Sequence, residues 1–333
     1  MAPSRRRETG HNAAAALAGM HRFAFLTLEG YSMIAFANAL EVCRMANYVS
    51  GDAAYSWEVV TLDGAPARAS NGLALEPTAS LASSRPSDLL FVCGGVDVRH
   101  AVSRQLKQGL RRLARSGTAL GGLCTGAFAL AESDLLEGYR CAIHWENLSA
   151  IREEFPDIDF VEDLFVVDRD RLTCTGGTAP LDMMLVLVEA RFGRTLAGKI
   201  SDQFIVERVR EPGDPQTLPL QRLAAGGHTL LARAVAAMRA HIEAPLGVAD
   251  IAAAVGLSRR QLERQFQRHL GDGPAELYLA LRLDRARELL RQTAMPVTEI
   301  GLASGFKSAA HFSTAYQRRF GHPPSAERSP RAL

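Results

Sequence analysis

Asp250-Ile251-Ala252-Ala253-Ala254-Val255-Gly256-Leu257-Ser258 and Glu299-Ile300-Gly301-Leu302-Ala303-Ser304-Gly305-Phe306 are one motif written twice. The first copy runs on through Leu262, Phe266, Leu270 and Gly271, the second through Ser308, Phe312, Tyr316, Phe320 and Gly321. The offset is 49 residues as far as Leu257 and Phe306 and 50 from Ser258 and Ser308 onward, so Lys307 is one inserted residue. Each copy predicts a short helix, a glycine free to take positive φ, and a helix with apolar residues at i, i+4 and i+8. That is a helix-turn-helix, present in tandem.

Between the apolar positions of the first copy lie Arg259, Arg260, Glu263, Arg264, Gln267 and Arg268. Arginine and glutamine are the side chains that make bidentate bonds to base edges in a major groove. A solvated helix face has a similar composition, and one copy alone would leave the two readings balanced. The repeat downstream decides for DNA. The second copy presents Lys307, Ser308, Ala310, His311, Ser313, Thr314 and Arg318, followed by Arg319. Its cations suit phosphates, and its small side chains suit thymine methyl groups. A helix from Ala275 to Gln292 joins the copies, with Leu277, Leu281, Ala286, Leu289 and Leu290 expected inside. The whole segment resembles the DNA-binding domain of the AraC/XylS transcriptional regulators, and Gly321-His322-Pro323-Pro324-Ser325 is similar to that family's closing signature. The resemblance implies operator DNA as a partner, and RNA polymerase beside it.

Charge divides the 333-residue chain. Residues 216–333 hold 16 Lys and Arg against 9 Asp and Glu, and residues 1–215 hold 22 against 27. A net charge of +2 thus conceals a basic final third behind an acidic remainder, as expected for a nucleic-acid module joined to a different domain. The five cysteines, Cys43, Cys93, Cys124, Cys141 and Cys174, show no C-x-x-C spacing and are odd in number. Neither a disulfide framework nor a metal site is expected, and a cytoplasmic location is. No apolar run is long enough to span a membrane. Residues 1–20, with Arg5-Arg6-Arg7 and an alanine run, read as a disordered tail rather than a signal peptide.

From residue 21 to 210, apolar runs alternate with helical periodicity. Arg22 to Leu28, Tyr55 to Leu62, Asp88 to Cys93, Thr118 to Leu123, Phe160-Val161, Leu164 to Val167 and Arg171 to Cys174 predict strands. Ser32–Tyr48, Val102–Ser116, Gly126–Leu136, Ala179–Phe192 and Leu196–Val209 predict helices. The expected class is α/β with a mainly parallel sheet, followed by an all-α tandem helix-turn-helix domain over 222–333. Glu211-Pro212-Gly213-Asp214-Pro215 begins the expected linker, 211–221.

Gly122-Leu123-Cys124-Thr125-Gly126 sits between a strand and a helix, the arrangement of a nucleophile elbow. With Val92-Cys93-Gly94-Gly95 it resembles the PfpI-type, class I glutamine amidotransferase-like fold, a flavodoxin-like parallel-sheet sandwich. Enzymes of that fold need a base beside the thiol. The PfpI-type proteases carry a histidine directly after the cysteine, where this chain has Thr125. The acidic residue expected from the first helix is replaced by Ala35, and His144 is the one nearby candidate base. A nucleophile without an oriented base is poorly activated, so no catalysis is expected of Cys124.

A PfpI-like domain ahead of an AraC-type domain is similar to the GlxA type of regulator. Ala35 to Glu41, Ile143-His144-Trp145-Glu146-Asn147 and Thr173-Cys174-Thr175-Gly176-Gly177-Thr178 are similar to members that sense arginine, carnitine or glycine betaine. The residues themselves point the same way, since ligands of α/β sheets bind at the carboxyl ends of strands. Gly94, Gly95, Cys124, Thr125, His144, Trp145, Thr175, Gly176, Gly177 and Thr178 all follow predicted strands. Amides at Gly95, Thr125 and Thr178 suit a carboxylate, and Trp145 suits a cationic head unless it is a core aromatic. The expected partners are thus a small-molecule effector, operator DNA and a second copy of the chain through the first domain, with no cofactor.

Overall fold

The computed structural model describes residues 18–214, 216, 228–293 and 295–328. The tail expected over 1–20 lies outside these residues except at its end, where Arg191 Nη1 donates to Met20 O at 2.9 Å. The chain divides into two compact units, Met1–Gln216 and Thr217–Leu333.

The first unit is a seven-stranded sheet ordered β3-β2-β1-β4-β5-β9-β8. Its strands are β1 Arg22–Thr27, β2 Ser56–Thr61, β3 Ala79–Ser80, β4 Leu89–Cys93, β5 Ala119–Leu123, β8 Phe165–Asp168 and β9 Arg171–Cys174. Every pairing is parallel except β8 with β9. A two-stranded parallel sheet, β6 Arg140–Ala142 and β7 Asp159–Val161, adjoins it where Ala142 N donates to Thr173 Oγ1 at 2.8 Å.

Side chains alternate across each strand, and in β1 both sets are apolar. Phe23 and Phe25 pack into one core with α1 Met33–Ser50, α6 Ala179–Phe192 and α7 Arg194–Gln203. Ala24 and Leu26 pack into the other, with α3 Arg104–Arg115, α4 Gly126–Ala131 and α5 Leu148–Glu154. Both faces are therefore covered, as a parallel sheet requires. A short helix, α2 Val98–Ala101, follows β4.

Two predicted helices end early, for backbone reasons. The helix expected to reach Leu136 stops at Ala131, since Asp134 takes φ 56° and Ser133 Oγ donates to Ala129 O. The one expected to reach Val209 stops at Gln203, since Ile205 takes φ 55° and Val206 N donates back to Ser201 O at 3.0 Å. Phe204, Val206 and Val209 still pack on the core, so the apolar periodicity mimics a helix although the chain is irregular there. The described part of the segment expected as linker is bonded to the first unit: Leu164 N donates to Pro212 O at 2.7 Å, and Gln216 Nε2 to Asp163 O at 3.0 Å.

The second unit is helical. Its elements are α8 Thr229–Ala240, α9 Val248–Ala254, α10 Arg259–Leu270, α11 Pro274–Gln292, α12 Val297–Ala303, α13 Ala309–Phe320 and a 3₁₀ helix Pro324–Arg328. The repeat in sequence is a repeat in structure. Gly256 and Gly305 take φ of 75° and 78° in the two turns, a region that costs any residue with a Cβ. Ser258 Oγ accepts from Gln261 N, and Ser308 Oγ from His311 N, so each second helix opens on a serine cap. Leu262 and Phe266, and Phe312 and Tyr316, are the buried positions of α10 and α13.

The joining helix begins one residue earlier than expected, at Pro274, which is pre-organised for a first turn. Ala286, Leu289 and Leu290 are buried as read, while Leu277 and Leu281 are only half-buried and Tyr278 and Leu283 take the inner positions. Arg282 of this helix donates to Ser304 O at 3.0 Å and Gly305 O at 2.7 Å, satisfying carbonyls at the C-terminal end of α12.

Candidate functional site

Cys124 follows β5 in the left-handed region, with φ 60°. A residue with a Cβ is strained there, which is what an elbow imposes on the side chain it presents. Gly176 lies against it: a Cβ at that glycine would stand 3.1 Å from Cys124 Sγ, and its φ of 111° also disfavours any other residue. Thr125 Oγ1 donates to Gly95 O at 2.8 Å, binding the elbow to the glycine pair after β4, and Gly94 N donates to Leu123 O at 3.1 Å. His144 N donates to Cys124 O at 3.3 Å. The carboxyl ends of β4, β5, β6 and β9 thus bring Gly94, Gly95, Cys124, Thr125, His144 and Gly176 together.

The chemistry available to Cys124 is limited. Burial pushes its thiol up to about 12, a change that the Thr125 N–H opposes only in part. A thiol so shifted is protonated at neutral pH and is a poor nucleophile. The His144 backbone, not its ring, meets Cys124; the imidazole Nδ1 instead accepts from Glu146 N at 3.4 Å. Burial also holds His144 below its ordinary range, against the pull of Glu146. Ala35, at the place of the enzymes' acid, is buried in α1.

Trp145 is 41% exposed, so the core reading of this residue is set aside; its ring lies 5.8 Å from that of His144. Thr175 is buried, with its N–H on Leu164 O at 2.9 Å, while Gly177 and Thr178 are exposed. Two residues of this region were not singled out from sequence. Asn38 Nδ2 reaches Gly177 O at 3.5 Å, and Arg210 Nη2 donates to Thr178 Oγ1 at 2.7 Å. Their partners are 139 and 32 residues away, and no local pattern announces such pairs.

On the second unit, Arg260, Arg264, Gln267 and Arg268 are exposed along α10. Arg259 Nε is paired to Glu263 at 2.8 Å, and Gln267 Nε2 donates to Gly271 O at 2.9 Å. On α13, Ala310, His311, Thr314 and Arg318 are exposed, Ser313 is half-buried, and Lys307 is exposed in the turn. The Ser308 hydroxyl is occupied as a cap. Arg319 was expected on phosphates, but its guanidinium lies on the Asp284 carboxylate, at 2.9 and 3.0 Å from Nη2.

A doubly wound domain with a protonated elbow cysteine, ahead of a tandem helix-turn-helix unit, defines a DNA-binding transcriptional regulator. The comparisons agree. Residues 21–190 match the DJ-1/PfpI family and residues 251–329 a helix-turn-helix domain. The transcriptional regulator GbdR of Pseudomonas aeruginosa is 44% identical over 93% of this chain and 84% of its own length. The regulator CdhR of the same organism is 41% identical over 92% of this chain and 91% of its own. The crystal structure of an AraC family transcriptional regulator from Pseudomonas putida, 33% identical, covers 55% of this chain and 99% of that one with a TM-score of 0.51. The chain belongs to the AraC-family transcriptional regulators of the GlxA type, which carry a DJ-1/PfpI domain before the helix-turn-helix. Among the described residues no helix is long and apolar enough to cross a membrane.

Proposed function

We propose that the first unit senses a small metabolite bearing a carboxylate and a cationic or quaternary ammonium head, of the arginine, carnitine or glycine betaine kind. Its occupancy sets how the second unit acts at an operator controlling that metabolite's use. The observation that carries this reading is the elbow itself. The backbone at Cys124 is strained, while the thiol stays protonated and, among the described residues, the nearby His144 ring accepts from Glu146 N rather than from the thiol. Strain kept without its chemistry is consistent with a binding surface. Trp145, exposed beside the elbow, offers a π face to a cation, and the amides at the strand ends suit a carboxylate. Self-association through the first unit belongs to the same reading, supported by Ile34 and Tyr48, which α1 leaves 54% and 71% exposed.

Thermal unfolding of the full chain against glycine betaine, carnitine, L-arginine and acetate tests it. A true effector at 100 times its Kd stabilises by about 2.7 kcal/mol, a rise of several degrees. Cys124→Ser is expected to keep that rise and to leave the chain without amidase or peptidase turnover. Hydrolysis that disappears in Cys124→Ser would put an enzyme in place of the sensor.

A further inference from the structure

Arg210 lies where the first unit is about to end, six residues before Gln216. Its backbone N–H donates to Asp182 Oδ1 at 2.7 Å, and its Nε and Nη2 to Asp182 Oδ2 at 2.9 and 2.5 Å. Asp182, in the first turn of α6, is 2% exposed, so this carboxylate is a fixed anchor. The same Nη2 reaches Thr178 Oγ1 at 2.7 Å. Thr178 is the exposed last residue of the loop that faces Cys124. The first residue of that loop is tied to the same exit segment by another route: Thr175 N bonds Leu164 O, and Leu164 N bonds Pro212 O. Both ends of the Thr175–Thr178 loop are therefore held by the stretch of chain that leaves the unit.

That stretch is held against its own preference. Ile205, a β-branched residue, sits at φ 55° and is 89% exposed, so no burial of its side chain compensates for the backbone strain. The seating of residues 204–214 then rests on the packing of Phe204, Val206 and Val209 and on bonds such as those of Arg210. Arg210 Nη1 has no hydrogen-bond partner among the described residues, so the guanidinium has an arm to offer an anion on the loop.

We propose that Arg210 couples the loop to the exit segment. With Thr178 Oγ1 as partner, the fork is closed and the segment is seated. An effector carboxylate on the loop competes with Thr178 Oγ1 for the Arg210 guanidinium, and the segment loosens where the chain continues into the DNA-binding unit. Arg210 is a positioning residue in this scheme, and the scheme rests on reading the loop as part of the effector site.

Hydrogen exchange of the full chain without added ligand gives the test. Thr178→Val keeps the shape and removes the acceptor. Exchange over residues 204–214 is expected to quicken about tenfold, the scale of one hydrogen bond to a charged group, and Thr178→Ser should restore it. Asp182→Asn should quicken it further. In the same Thr178→Val protein, operator affinity should shift at least threefold toward the value that glycine betaine, carnitine or L-arginine produces in wild type, with the first unit's melting temperature unchanged. Exchange and operator affinity as in wild type would overturn the coupling, even where a probe binds. If none of the three probes binds wild type but Thr178→Val still quickens exchange and shifts operator affinity, the effector reading falls and the coupling stands.

Discussion

Replacing Glu327 with alanine is expected to lower the melting temperature of the second unit by more than about 10 °C and to leave that of the first unit unmoved. The Glu327 side chain is 2% exposed and has four partners among the described residues. Arg287 Nε lies 3.1 Å and Arg291 Nε 2.7 Å from Oε1, while Tyr316 Oη donates to Oε2 at 2.8 Å and His322 Nε2 lies 3.1 Å from it. These partners come from α11, α13 and the turn after α13, so one side chain of the 3₁₀ helix ties the joining helix to α13. Without it, two part-exposed guanidiniums and a phenol face one another with their shared acceptor gone. Loss of one partner of a fully buried network costs about 3–5 kcal/mol, and solvent at Arg291 and Arg287 puts this one at the low end, about 3 kcal/mol.

The acid limb is set by the same group. Burial pushes the Glu327 carboxyl up, but the bonds from Tyr316, Arg287 and Arg291 more than reverse this and hold it at about 2, below its ordinary 4.5. A depressed folded pKa means that the contribution is complete above about 4.5 and is lost as pH falls toward 2. The gap between wild type and Glu327→Ala should therefore narrow across that window. Calorimetry of the full chain, read for the transition of each unit, measures both effects. A fall of under about 3 °C at neutral pH would show that the network is not what holds the second motif closed.

What the sequence disclosed and what it hid divide along a physical line. Local periodicity marked seven of the nine described strands because both faces of the main sheet are apolar, but not β3 and β6, which are two and three residues long, and it bounded Ala179–Phe192 to the residue because Pro180 opens that helix and Gly193 closes it. The tandem motif was legible because a positive-φ glycine and a capping serine stand at fixed offsets from the buried positions. The premature ends at Ala131 and Gln203 were not, because single residues at positive φ, Asp134 and Ile205, made them. α8 was not read at all, although Leu231, Ala234, Val235 and Met238 supply part of the core under the first motif. At the candidate site, residues that directly follow strands were readable. Asn38, Asp182 and Arg210 were not, since each acts across the fold on a partner far away in the chain. Glu327 belongs with them.

Base changes in the operator half-element read by α10 are expected to cost more than changes in the half-element read by α13. The joining helix of 19 residues is about 28 Å long at 1.5 Å per residue, close to the roughly 34 Å between successive major grooves on one face of a duplex. Both helices can therefore serve one operator, but they bring different chemistry. On α10, Arg260, Arg264 and Arg268 are exposed and carry no ion pair among the described residues. Their forks are free for a bidentate bond to guanine, worth about 1–3 kcal/mol of discrimination per base pair. On α13 the exposed side chains include Ala310, His311, Thr314 and Gln317, of which Gln317 alone can make a bidentate bond, to adenine; the Ser308 hydroxyl caps the helix, and Arg319 is held by Asp284. Lys307 and Arg318 remain to neutralise phosphates, each adding about −0.9 to the slope of log K against log salt without favouring any sequence. Arg264→Ala should then flatten the preference within the first half-element. Lys307→Ala should weaken binding to every operator variant alike and reduce the salt slope by about one unit. A saturation scan of the operator, with orientation fixed by a cleavage reagent tethered to the second unit, reads all of this in one experiment. Equal or greater strictness in the half-element under α13 would mean that its small side chains and His311 read bases by contacts as selective as an arginine fork.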